Sequence, residues 1–228
     1  MVKNFDNMST YQTVLVCEST ANGTDKRLIE KLIINHSLLP NDTFCIETRQ
    51  PGDIKTIIGF IKLTLKVQQY IVSKETKNVL VIVDADEHPE RRFQEIKTSF
   101  DTQIFEVQES IGAQFPRDNT KINVGIYLLP DNSHKGSLET LGLKVLHHDH
   151  LTSKLGCIDY YMQSLGSIDG DITENNKSKA KFRIFIATPK PDRYVDSIID
   201  SIDFNSEEFN NLKEFIRQVN STRQLHTI

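Results

Sequence analysis

A chain of 228 residues, 25% of them charged and 38% hydrophobic, with a net charge of -4, has enough material for one large domain or two small ones. That balance excludes a disordered tail, a collagen-like fibre and a disulfide-stapled scaffold. No apolar run reaches the roughly 20 residues of a membrane-spanning helix. The opening MVKNFDNMST lacks the apolar core of a signal peptide, so a cytoplasmic protein without a membrane partner is expected. Cys17, Cys45 and Cys157 stand far apart with no CxxC, which reads as reduced, buried thiols. A pI near 6.0 removes whole-chain attraction to nucleic acid, so any such binding has to rest on a local site.

Thr13 to Cys17 is a short apolar run without alternation, the pattern of a strand covered on both faces, and it ends at Glu18. Leu28, Ile29, Leu32 and Ile33 then repeat at helical spacing between Asp25 and Asn35, and Thr43 to Ile46 reads as a second strand. From Asp53, a good N-cap, the residues Ile54, Ile57, Ile58, Ile61 and Leu65 predict a helix running to about Ser73. Val79 to Val83 is the most hydrophobic run and predicts a central parallel strand finishing in Asp84-Ala85-Asp86. Pro89 opens a helix through Phe93, Ile96 and Phe100, with proline at a first-turn position where its missing N–H costs nothing. Residues 101–121 are polar and ambiguous. Val124 to Leu129 is a further strand, stopped by Pro130-Asp131-Asn132, and Leu138, Leu141, Val145 and Leu146 continue helically.

Strands alternating with helices predict an α/β core with a mostly parallel sheet over residues 10–150, whose ligands bind beyond the C-terminal strand ends. Residues 151–228 read as a mainly helical extension packed on that core. Its segments are Leu151 to Leu165, a polar break from Asp169 to Asn176, Ala180 to Ala187, and the periodic Phe209, Leu212, Phe215, Ile216 and Val219.

The acidic residues gather at the expected ligand edge. Successive side chains of a strand point to opposite faces, so Asp84 and Asp86 fall on one side, close enough to share a hard cation such as Mg²⁺. Glu18, at the end of another strand, supplies a third oxygen, and Glu87 and Glu139 lie on loops of the same edge. Such clusters serve phosphate chemistry, where divalent ions neutralise phosphoryl oxygens and activate water. The plain alternative is a strand-end Asp that caps the next helix.

A glutamate after the first strand, followed by a very hydrophobic strand ending in DxD, resembles a Toprim domain, the metal-dependent phosphodiester module of topoisomerases, primases and OLD-type nucleases. The segments VLVCE, VLVIVDADEHPERR, VGIYLLPDNSHKGSLETL and SKAKFRIFIATPKPDRYVDSIID resemble, in that order, a family of stand-alone Toprim-like proteins of unknown function, from about Thr13 to Phe215. The resemblance implies a Rossmann-like Toprim core and Mg²⁺- or Mn²⁺-dependent cleavage of nucleic acid, with water as nucleophile. It implies a setting in DNA or RNA processing, such as repair or bacterial or phage defence. Glu18 matches the first-motif glutamate, Asp84 and Asp86 the DxD, and Glu139 the acidic position after the PDN loop. Lys179, followed by Ala180, matches a late lysine that stabilises transition-state charge in OLD-type nucleases. The first motif departs from the pattern, reading Glu18-Ser19-Thr20-Ala21-Asn22-Gly23-Thr24-Asp25 where Glu-Gly and a nearby second acid are usual. Either Asp25 is that acid after a small insertion, or Asn22 holds the position and a second metal site is weakened.

Other features have ordinary readings beside functional ones. Lys177, Lys179, Lys181 and Arg183, and separately Arg91 and Arg92, read either as phosphate-backbone contacts or as a solvated face. Adjacent histidines in His147-His148-Asp149-His150 cannot all face one point on a helix, and His134 is better placed in its loop. Phe182 and Phe185 read as core. Besides a nuclease, the pattern leaves open a DxD phosphatase or glycosyltransferase, or a degenerate Toprim-like subunit that binds a partner protein or its own copy.

Overall fold

The computed structural model describes residues 11–18, 23–41, 43–48, 58–59, 76–146, 151–169, 174–187, 199 and 202–220. Five strands, β1 (Thr13–Cys17), β2 (Phe44–Glu47), β3 (Asn78–Asp84), β4 (Phe105–Val107) and β5 (Ile122–Leu129), form one sheet in the order β2-β1-β3-β5-β4. Every pairing is parallel. The helices are α1 (Thr24–Asn35), α2 (Pro89–Lys97), α3 (Leu138–Val145), α4 (Leu151–Asp169), α5 (Glu174–Ala187) and α6 (Asn210–Arg217), the last entered through a short 3-10 turn at Glu207–Phe209. The α/β class with a parallel sheet and a helical C-terminal region is what the apolar runs predicted.

Parallel strands are joined by crossovers that cover both faces, so β1, β3 and β5 carry apolar side chains in both directions. Leu15, Leu80, Ile82, Tyr127 and Leu129 face a cluster built with Leu28 and Leu32 of α1, Leu141 of α3, Ile158 of α4, Phe182 and Phe185 of α5 and Leu212 and Ile216 of α6. Val14, Val16, Val79, Val81, Val83, Val124 and Ile126 face Phe93 and Ile96 of α2. Full burial of one such side chain stabilises by about 1.5–3 kcal/mol, so the C-terminal helices are held by the sheet's own apolar surface.

Several local expectations change. The ambiguous stretch 101–121 contains the edge strand β4, extended by Gln108, whose N–H bonds Val124 O and whose side-chain carbonyl accepts from Ile126 N–H. Helix α5 begins at Glu174 rather than near Ala180, so Lys179 lies in its second turn. Glu139 is in the first turn of α3 and not in a loop. Cys157 is exposed and only Cys17 is fully buried, because Leu155 and Ile158 take the inward face of α4. The helix expected from Asp53 to Ser73 lies outside the described residues apart from Ile58 and Gly59, and so does His147 to His150. Among the described residues no helix is long and apolar enough to cross a membrane.

Candidate functional site

The strand register sets which side of the sheet each acid occupies. Cys17 of β1 is level with Ile82 of β3, so Glu18 follows on the α2 side while Asp84, two residues beyond Ile82, turns to the α1/α3/α5 side. Asp86 does not share a face with Asp84 by strand alternation, as expected from DxD, because β3 ends at Asp84 and Asp86 has a left-handed backbone at φ 54. Reciprocal bonds to Gly136, Asp86 N–H to Gly136 O and Gly136 N–H to Asp86 O, both 2.9 Å, hold that conformation. Gly136 itself sits at φ 143, and a Cβ there would meet Thr140 Oγ1 at 2.9 Å.

On the α1/α3/α5 side, Asp84 Oδ1 accepts the N–H of Leu138, the first residue of α3, at 3.0 Å, and Oδ2 lies 3.2 Å from Lys179 Nζ. The same ammonium is 3.9 Å from Asp86 Oδ1, so the two aspartates do meet, through a lysine. This is far inside the ~10 Å screening length at ~0.1 M salt beyond which a lysine would not act on the carboxylates. Burial, and then the neighbouring Asp84 and Glu139 charges, push Asp25 from 3.8 up to about 7. Burial and Glu139 push Asp84 from 3.8 to about 6, with Lys179 and the Leu138 N–H pulling the other way. Asp25, Asp84 and Glu139 are thus close enough to feel one another across the N-terminal turns of α1 and α3, where helix dipoles favour negative charge.

On the α2 side, Glu18 is held by Arg92, whose Nη2 donates to Glu18 Oε1. Glu95 Oε2 lies 4.0 Å from Arg92 Nη1, and Asp86 also acts on the guanidinium. Arg92 Nε is buried and has no hydrogen-bond partner among the described residues. The sequence marked Arg92 only as one of two adjacent arginines. Its pairing with Glu18 joins residues 74 positions apart, and no local spacing signals it.

The remaining candidates have other duties. Asp131 takes the N–H groups of Ser133 and His134 and pairs with Lys144 at 3.0 Å; these bonds outweigh burial and hold its carboxyl well below the usual range. His134 is exposed and stands 3.2 Å from Asp131. Lys181 pairs with Asp159 of α4 at 2.6 Å, Arg91 pairs with Glu95 at 3.0 Å, and Lys135 pairs with Glu87 at 3.3 Å. Phe182 and Phe185 are core residues.

The donors at the edge are all carboxylate oxygens, the chemistry that Mg²⁺ and Mn²⁺ prefer, and the raised Asp25 and Asp84 are groups that a divalent cation would relieve. In that respect the residues fit such an ion. Among the described residues no group of three or more His, Cys, Asp or Glu side chains is drawn into one metal-holding cluster.

A parallel sheet with an acidic C-terminal edge, a Glu after β1 and DxD after β3 is the architecture of a Toprim-like α/β protein. The chain belongs to the family described as a protein of unknown function, DUF3226, whose profile matches residues 12–221. That family is related to the Toprim domain of OLD-type nucleases. No curated protein and no solved structure matches the chain.

Proposed function

We propose that the protein is a Toprim-type hydrolase of nucleic-acid phosphodiesters, a nuclease that works with Mg²⁺ or Mn²⁺. The observation that carries this reading is the carboxyl pair Asp25 and Asp84 at the C-terminal strand edge, Asp25 pushed up to about 7 by burial and by Asp84 and Glu139, and Asp84 to about 6 by burial and Glu139. Asp25, Asp84, Asp86, Glu18 and Glu139 lie within electrostatic reach of one another or of the cations Lys179 and Arg92, an excess of negative charge at this edge. Perturbed acids of this kind at a sheet edge are a functional signature. Glu18, Asp84 and Asp86, with Asp25, would hold the cation, which when bound neutralises phosphoryl oxygens and generates a nucleophilic water. Lys179 places a fixed ammonium where negative charge develops on the phosphoryl group, and Glu139 sets the field around it.

A second reading has its own support. Lys179 on Asp84 and Arg92 on Glu18 already supply cations to the acids, as expected of a degenerate Toprim-like domain that binds a partner without cleaving. The two separate in one experiment, incubation of labelled single- and double-stranded DNA and RNA with the protein in Mg²⁺, Mn²⁺ or EDTA. Cation-dependent cleavage that is lost in Asp84→Asn supports the hydrolase. No cleavage of any substrate, together with no cation-dependent change in melting temperature, sinks it and leaves the binding subunit.

A further inference from the structure

An arginine side chain presents Nε–H and one Nη2–H in parallel along one edge, a fork matched to two oxygens of a carboxylate or phosphate. In Arg92 that fork is half used, with Nη2 donating to a single oxygen of Glu18 and Nε buried without a partner among the described residues. A buried donor left unpaired is costly, and an arginine held at 16% side-chain exposure has already been largely desolvated. Helix α2 fixes its position, because Phe93, the next residue, and Ile96, one turn further on, are buried against the sheet and the Arg92 N–H bonds His88 O at 2.9 Å. The guanidinium pairs with Glu18, has Glu95 4.0 Å from Nη1, and lies within the electrostatic reach of Asp86 at the strand edge.

We infer that the Nε/Nη2 edge of Arg92 is a seat for a phosphodiester group of the nucleic acid, and that Glu18 occupies it in the free protein as a built-in competitor. This rests on the nucleic-acid reading above and adds to it a substrate-binding residue and an inhibitory contact. A phosphodiester brings two oxygens to the fork where Glu18 brings one, and when Glu18 turns away, both donors are satisfied together. Anion binding is therefore weak while Glu18 is charged and in place.

The test needs no metal. Anisotropy of a fluorescent single-stranded oligodeoxynucleotide is followed in EDTA for the wild type, Glu18→Gln, Arg92→Lys and the double variant, with inorganic phosphate as competitor. Glu18→Gln should tighten oligonucleotide binding by about tenfold, a gain in the usual range for coupled contacts and one that a misfolded protein cannot produce. Glu95→Gln removes the same charge next to Nη1 without freeing the fork, and should gain far less. Arg92→Lys keeps the charge but loses the fork, so it should cancel the gain in the double variant. Equal gains from Glu95→Gln and Glu18→Gln, a double variant that binds as tightly as Glu18→Gln, or a gain for inorganic phosphate with none for the oligonucleotide would each overturn the proposal. Cleavage by the wild type in Mn²⁺ with no gain in Glu18→Gln removes this seat and leaves the hydrolase standing. A gain without cleavage or cation response does the reverse.

Discussion

Asp84 uses its two oxygens differently, and the difference can be measured. Oδ1 accepts the Leu138 N–H at the start of α3 and Oδ2 faces Lys179. Asparagine keeps an acceptor for the helix N–H while removing the buried charge; alanine removes both. In EDTA, Asp84→Asn should lie within about 1 kcal/mol of wild type by urea denaturation, because the lost attraction to Lys179 is offset by relief of burial, of repulsion from Glu139 and of the push that Asp84 exerts on Asp25. Asp84→Ala should lose about 1–2 kcal/mol more, the cost of an unanswered N–H at a helix start. Equal losses in the two variants would show that the charge itself is structural. The helix-cap alternative is thus present in the Leu138 N–H bond to Asp84, the residue for which the site role is also proposed, and a strand-end Asp in a sequence cannot reveal that bond.

At the scale of elements, α5 reaches the site because of a glycine. A Cβ on Gly142 of α3 would lie 2.5 Å from Cε2 of the Phe182 ring, so its absence lets α3 and α5 approach and brings Lys179, one turn before Phe182, over Asp84. Phe182 is buried and cannot swing away freely. Gly142→Ala gains up to about 1 kcal/mol of helix propensity but overpacks at a cost of about 1–3 kcal/mol, so a lower melting temperature is expected. A higher one would mean that the ring yields and that the contact does not set the spacing. The sequence showed β1, β3 and β5 clearly because buried parallel strands read as unbroken apolar runs. It did not show β4, a three-residue edge strand whose hold includes the Gln108 side chain. The acids themselves were legible as strand-end residues. Their sides of the sheet were not, since these depend on the β1/β3 register and on the left-handed turn at Asp86.

For the whole molecule, the crowded edge predicts an unusual pH dependence. Asp25 and Asp84 have folded-state values of about 7 and about 6 against 3.8, so between about pH 4 and 7 the native protein binds more protons than the unfolded chain. Stability therefore falls as pH rises through that window, at a slope of up to about 1.4 kcal/mol per pH unit for each group and so at most about 3 where both differ, and the penalty is absent below about pH 4. Asp131 works in the opposite sense but only at lower pH, where its depressed carboxyl is finally protonated. In EDTA, urea denaturation from pH 4.5 to 8 should show the decline in wild type and a flatter profile in Asp25→Asn, which carries no charge to bury. Mn²⁺ competes with protons for the same oxygens, so under the hydrolase reading it should raise the melting temperature more at pH 8 than at pH 5 and remove most of the decline. A profile unchanged by Asp25→Asn would show that this carboxyl is not strained. A cation effect equal at both pH values would place the ion on other groups of the protein and separate it from this edge.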